Sequence, residues 1–254
     1  MDLLKLHLYA KSKKGGSGGG IIPSGELLIN ENGIYDVIPY ASVNVEVSAS
    51  GGGAEGGTDE MAALVEGSIT SIKDSKATKV RNMCFRDCMA LVSVDFSAAT
   101  MIGNTAFQNC TSLVSVSFPE ATNISISAFY LCSNLTEVDF PKVKIIDTGA
   151  FQNCSALTRA HFPNAVAFGN NAFSNCTSLI ALVLRKNTMC ALNATGAFYK
   201  TPIADGNGYI YVPAALIEEY KAATNWSTYA TQFRALEDYT VDGTVTGALD
   251  ESKI

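Results

Sequence analysis

Ala106-Phe107-Gln108-Asn109-Cys110-Thr111-Ser112-Leu113-Val114-Ser115-Val116-Ser117-Phe118-Pro119 returns two periods later as Ala150-Phe151-Gln152-Asn153-Cys154-Ser155-Ala156-Leu157-Thr158-Arg159-Ala160-His161-Phe162-Pro163. Phenylalanine recurs every 22 residues, at Phe85, Phe107, Phe129, Phe151 and Phe173. Cysteine follows three later (Cys88, Cys110, Cys132, Cys154, Cys176), and leucine three after that (Leu91, Leu113, Leu135, Leu157, Leu179). Val94, Val116, Val138, Ala160 and Leu182 form the next column, and Phe96, Phe118, Phe140, Phe162 and Leu184 the one after. A further column runs Val80, Ile102, Ile124, Ile146 and Phe168, and Cys190 extends it by count. Several apolar columns in one register at a period of 20–29 residues are the mark of a solenoid, because no single turn buries its apolar edge without a neighbour.

The columns fix the geometry. Leu-x-x-Val-x-Phe is a short strand, and Pro119, Pro141 and Pro163 end it by removing a donor. With parallel strands about 4.8 Å apart, five full turns span roughly 24 Å, and each column becomes a ribbon of like side chains. Degenerate turns close both ends. Ile69 and Ile72 fill the Leu and Val columns ahead of Asp74, while Phe198 comes three residues late with Thr201 in the cysteine place. Such atypical ends protect the open edges of a repeat stack.

The rest of the 254 residues flank this body. Residues 1–20 and 49–60 are an N-terminal segment and two Gly-rich linkers; twelve of the 21 glycines lie in the first 57 positions. Residues 21–48 between them read as a small β module. Asn32-Gly33 separates Leu27-Leu28-Ile29 from Ile34-Tyr35-Asp36-Val37 as a hairpin turn does, and Val43, Val45 and Val47 alternate with polar residues. A module of that size buries too little to stand alone and needs a partner surface. The solenoid is expected over 61–213 and a helical C-cap over 214–237. There Pro213 opens the first turn and Asn225 N-caps a second short helix carrying Trp226, Tyr229 and Phe233. Residues 238–254 form a tail.

Composition narrows the function. A net charge of −6 disfavours nucleic acid, whose phosphates call for a basic surface. No run of 18 apolar residues suggests membrane insertion, and the opening residues lack the pattern of a signal peptide. With two histidines, His7 and His161, and no phosphate loop, nucleophile elbow or H-E-x-x-H, neither catalysis nor a metal or other cofactor is expected. The seven cysteines fall at small or apolar inward positions, and stacked neighbours point the same way, so they are expected to be buried free thiols. The recurrent Asn-Cys-Ser/Thr triplets read as turn residues bonding backbone groups, not as glycosylation sites.

The polar interest lies on the outward strand face. One column reads Asp95, Ser117, Asp139, His161 and Val183, and its neighbour Ser93, Ser115, Glu137, Arg159 and Ala181. Asp95, Ser117, Glu137, Asp139, Arg159 and His161 are the candidate binding residues, with Glu137 beside Arg159 and Asp139 beside His161. The plainer alternative is a pair of exposed cross-strand charge contacts worth under ~1 kcal/mol each.

Ala-Phe-x-x-Cys-x-x-Leu-x-x-Val-x-Phe-Pro resembles the repeat of BspA-like leucine-rich repeat proteins over about residues 64–213. The place that holds Asn in ordinary leucine-rich repeats has Ala77, Ala99, Ala121, Val143 and Ala165 instead. The resemblance implies a β-rich leucine-rich-repeat solenoid and a role in binding or adhesion, with a protein or cell-surface glycan as ligand. Glu31–Val37 followed by Tyr40–Val45 resembles a short β motif of tail-associated proteins from phages and prophages of Gram-positive bacteria, and residues 228–254 are similar to such proteins. This implies a virion-associated host-recognition protein docked to other phage structural proteins through residues 21–48. A bacterial cell-surface or secreted adhesin, and an intracellular scaffold, remain the alternatives.

Overall fold

The computed structural model describes residues 71–74 and 77–236, together with the short strands Ile34–Tyr35, Val37–Ile38 and Ser48–Ala49. The expected hairpin turn at Asn32-Gly33, the alternating run Val43–Val47, the linkers apart from Ala49, and the tail lie outside the described residues. Val37–Ile38 pairs antiparallel with Ser48–Ala49, and Ile34–Tyr35 pairs parallel with Lys79–Val80.

Each turn of the solenoid supplies two strands. The two-residue strands from Lys79–Val80 to Ala191–Leu192 continue from Ile34–Tyr35 into one seven-stranded parallel sheet. On the other face lie the strands of the Leu-x-x-Val-x-Phe runs. Ser71–Asp74, Ser93–Phe96 and Ser115–Ser117 form one parallel sheet. Glu137–Asp139, Arg159–His161, Ala181–Val183, Tyr209–Val212 and Phe233–Ala235 form a second. The register follows the 22-residue columns, with Val94 on Val116 and Val138 on Ala160.

Between the sheets the columns make the expected ribbons. Phe107, Phe129 and Phe151 are wholly buried, with ring centroids 5.2–5.3 Å apart along the stack and near-parallel planes. The rings of the second phenylalanine column stand alongside, tilted or edge-on to these at about 6 Å. Aromatic pairs in such offset geometry add to the burial of their area.

The turn around each phenylalanine is held by backbone. In each of the five full repeats the residues two before and two after it adopt left-handed φ, for example Thr105 and Asn109 (52° and 62°), Gly149 and Asn153 (63° and 65°), Asn171 and Asn175 (55° and 61°). This turns alternate N–H groups toward the next coil, so Thr105, Phe107 and Asn109 donate to the carbonyls of Ile126, Ala128 and Tyr130. Asparagine before cysteine is thus selected for its tolerance of that conformation. The neighbouring hydroxyls do bond backbone, one coil back: Ser133 Oγ to the Thr111 carbonyl and Ser155 Oγ to that of Ser133. The Asn109 amide instead donates to the Asp87 carboxylate. Asn153→Ala is expected to cost about 1 kcal/mol and Asn153→Gly close to nothing, as read by denaturant midpoints.

All seven cysteines are free and buried. Their thiols also form a ladder: Cys110, Cys132, Cys154 and Cys176 donate to the carbonyls of Phe85, Phe107, Phe129 and Phe151 at 3.0–3.1 Å. Burial pushes the thiols of Cys88, Cys110, Cys132 and Cys154 well above their ordinary value near 9, and that of Cys190 to about 12. Unfolded thiols ionise near 9 while folded ones stay neutral, so their stabilising contribution is complete below pH 9 and falls as pH rises further. Folded protein at pH 8 is expected to resist alkylation and denatured protein to titrate seven thiols. Cysteine-to-alanine changes in the column should flatten the alkaline fall of the unfolding midpoint.

The C-terminal end departs from the sequence count. Phe168 pairs with Leu192 rather than standing beside Cys190, Phe198 stacks on Phe173, and Leu182 pairs with Ile210. Residues added between these positions bulge out as loops, leaving the interior columns continuous. Helix α1, Ile217–Ala222, and the 3-10 segment Trp226–Gln232 cover the last coil. The Tyr220 hydroxyl accepts from the Cys190 N–H at 2.8 Å, and Trp226 Nε1 donates to the Cys190 carbonyl at 2.6 Å. Two expectations change here. Asn225 makes no side-chain cap; at φ 64° its amide donates to the Leu192 carbonyl, tying the cap to the last strand of the seven-stranded sheet. The segment also does not stay helical to 237. Phe233–Ala235 is a strand on Tyr209–Val212, so the helices are an excursion within the sheet and not its end.

Candidate functional site

The strand face is built by alternation, because residues flanking the buried Val or Ala of each strand point outward. The register places Glu137 opposite Arg159 and Asp139 opposite His161. Arg159 Nε donates to Glu137 Oε1 at 3.1 Å, and its Nη2 contacts the same oxygen. His161 Nδ1 meets Asp139 Oδ1 at 2.8 Å. The two carboxylates are about half exposed (52% and 48%), while the Arg159 and His161 side chains lie flatter, at 25% and 12%. His161 Nε2 is buried without a hydrogen-bond partner.

These four residues share one groove of about 200 Å³ with Ser115, Val183 and the strand centres Val116, Val138 and Ala160. The other two candidates stand outside its lining. Asp95 sits in the first sheet, 3.4 Å from Lys73 Nζ, and Ser117 is exposed on the strand that borders the groove.

The groove reaches, at its Ser115–Val116 edge, a place where the strand face is divided. No ladder among the described residues joins Ser115–Ser117 to Glu137–Asp139, although the columns continue across. The second phenylalanine ribbon widens at the same place: Phe118 and Phe140 are 6.2 Å apart, against 5.3 Å for Phe96–Phe118 and 5.7 Å for Phe140–Phe162. Val116 is partly accessible there, whereas Val94 and Val138 are each 3% exposed. A strict repeat gives no signal for such a break.

Toward the C-terminus the face changes character. Ala181 and Val183 keep their outward register yet are buried (6% and 1%), packed with Tyr211 and Leu236. Beyond them Tyr209 carries the Arg234 guanidinium over its ring at 4.3 Å, with Tyr211 edge-on at 6.3 Å. The alternation Tyr209-Ile210-Tyr211-Val212 held a signal for this extension. Arg234, arriving after two helical segments, held none.

Parallel short-strand sheets enclosing in-register apolar ribbons, with a polar strand face outside, define a β-rich leucine-rich-repeat solenoid. The chain belongs to the BspA type leucine-rich repeat family, whose model matches residues 66–204 in six copies. Among solved structures it is similar to a leucine-rich repeat protein of Treponema pallidum, at 22% identity and a TM-score of 0.46, covering 55% of this chain and 84% of that one. It is also similar to the pneumococcal vaccine antigen PcpA, at 16% identity and TM-score 0.44, covering 65% and 40%. A leucine-rich cell surface protein of Faecalibacterium prausnitzii matches at 20% identity and TM-score 0.40, covering 65% and 50%. No curated protein matches the chain. No helix among the described residues is long and apolar enough to cross a membrane.

Proposed function

We propose that the chain is a non-enzymatic recognition protein whose strand face, centred on Glu137, Asp139, Arg159 and His161, contacts a protein or cell-surface glycan. The observation that carries this is the groove. Four of the six residues singled out on the face line one groove, held by cross-strand contacts on a scaffold whose interior columns are continuous. Exposed ion pairs of this kind add little stability, under ~1 kcal/mol each, so folding alone does not call for them.

The fuller reading makes this a phage- or prophage-encoded, tail-associated protein that recognises the host, with residues 21–48 docking to the particle and Gly-rich linkers giving reach. It is supported by the resemblance of Glu31–Val45 to tail-associated sequences. Family membership favours a second reading, a cell-surface or secreted adhesin. Fractionating the native host after prophage induction separates them. Stoichiometric recovery of the protein in purified particles is expected; recovery in the envelope with empty particles overturns the tail assignment and promotes the adhesin.

A further inference from the structure

We infer that Arg234 locks the open edge of the five-stranded sheet, and that without it this edge pairs antiparallel with the same edge of a second copy. The inference concerns assembly and is independent of what the strand face binds. Phe233–Ala235 is the last strand of its sheet, and no strand among the described residues lies beyond it. The outer edge of a last strand presents unpaired N–H and C=O groups, a template for association.

The coils before it show which groups face outward. The Phe162 and Leu184 N–H groups donate forward, to the Val183 and Tyr211 carbonyls, and the Ile180 carbonyl accepts from Tyr209 one coil on. The register carries Leu182 to Ile210 and on to Phe233, and Val212 to Ala235. By the alternation of a parallel ladder, the Phe233 N–H and C=O and the Ala235 N–H therefore point away from Tyr209–Val212, as does the Thr231 carbonyl two places earlier. The N–H and C=O of Arg234 itself face the ladder.

The Arg234 side chain closes the acceptors. Its Nη1 donates to the Thr231 carbonyl at 2.9 Å and to the Phe233 carbonyl at 2.8 Å, the two carbonyls of that edge. The Tyr209 ring, which the guanidinium overlies at 4.3 Å, holds it in place.

The edge is self-complementary. Across a two-fold axis at Phe233, its N–H and C=O exchange bonds with those of its counterpart, and each Ala235 N–H meets the other copy's Thr231 carbonyl. Such an isologous contact closes as a dimer. In the native chain both carbonyls are taken, and the pairing would set two guanidinium groups diagonally across the seam, like charge by like charge. Head-to-tail stacking is blocked separately. Helix α1 and Trp226–Gln232 cover the last coil, and Tyr220, Asn225 and Trp226 bond the backbone of Cys190 and Leu192. Pairing edge to edge is the route left to a second copy.

Sedimentation equilibrium of the full-length protein tests this. Wild type is expected to stay monomeric as concentration rises, and Arg234→Thr, which keeps a strand-forming residue, to shift to the mass of a dimer. Lys200→Ala, which removes an exposed cation elsewhere, should remain monomeric. Adding Ala235→Pro to Arg234→Thr removes an edge N–H and no ladder bond, so the monomer should return. Hydrogen exchange reads the same contact without proline: in the Arg234→Thr dimer the amides of Phe233 and Ala235 slow, and that of residue 234 keeps its rate. A monomeric Arg234→Thr, a wild type that dimerises equally, assembly beyond the dimer, or a dimer whose Phe233 and Ala235 amides exchange as in wild type overturns the inference.

Discussion

Phe129→Ala is expected to lower the unfolding free energy by about 3–5 kcal/mol. The ring is fully buried, stacked at 5.3 Å on Phe107 and 5.2 Å on Phe151, and tilted against Phe140. Two features keep the void from closing. Neighbouring rings are held on backbone tied to the adjacent coils, Phe107 N–H to Ala128 and Phe129 N–H to Ala150. Cys154 is likewise fixed, donating to the Phe129 carbonyl. In a stack where each coil touches only its neighbours, a lost rung also weakens the coupling of the two halves. Denaturant unfolding should therefore show a lower midpoint and a shallower transition. A change under about 1 kcal/mol would mean that this column does not hold the coils together.

Trp226→Ala is expected to cost a similar amount, about 3–5 kcal/mol, with a different signature. Trp226 is 1% exposed and lies within 6.2 Å of the rings of Phe168, Phe198, Tyr220 and Phe233. Its Nε1–H also satisfies the Cys190 carbonyl, which alanine would leave buried and unpaired. The loss falls at one end of the stack, so opening is local. Hydrogen exchange should accelerate over residues 190–236 while the central coils keep their protection, and the uncovered sheet end should promote association. Uniform acceleration along the whole chain would show that the cap is not a separate unit.

The contrast between these two sites tracks what the sequence makes legible. The interior columns were readable because burial at a fixed offset repeats one chemical requirement five times, from Phe85 to Phe173. Leu192, Phe198 and Ile210 were harder to place because loops of changing length precede them, so counting by 22 assigns Cys190 to a place that Leu192 fills. The strand at Phe233–Ala235 carries no repeat signature, since only its pairing with Tyr209–Val212 defines it. On the strand face the partners were legible from column and register, with Glu137 to Arg159 and Asp139 to His161 found as expected. The groove was not. It borders a local interruption of the outward strand ladder between two coils that stay bonded elsewhere, which the repeat of Val116 and Val138 hides.

Binding of labelled full-length protein to intact cells of the native host tests most directly whether this face is the recognition surface. Three proteins suffice: wild type, the double variant Glu137→Lys/Asp139→Lys, and Ile145→Lys on the opposite sheet, where the residue is 47% exposed. Saturable binding by wild type and Ile145→Lys, with at least a tenfold loss in the double variant, is the expected result, tenfold being about 1.4 kcal/mol. Undiminished binding by the double variant, with loss in Ile145→Lys, would contradict it and move the recognition surface to the seven-stranded sheet.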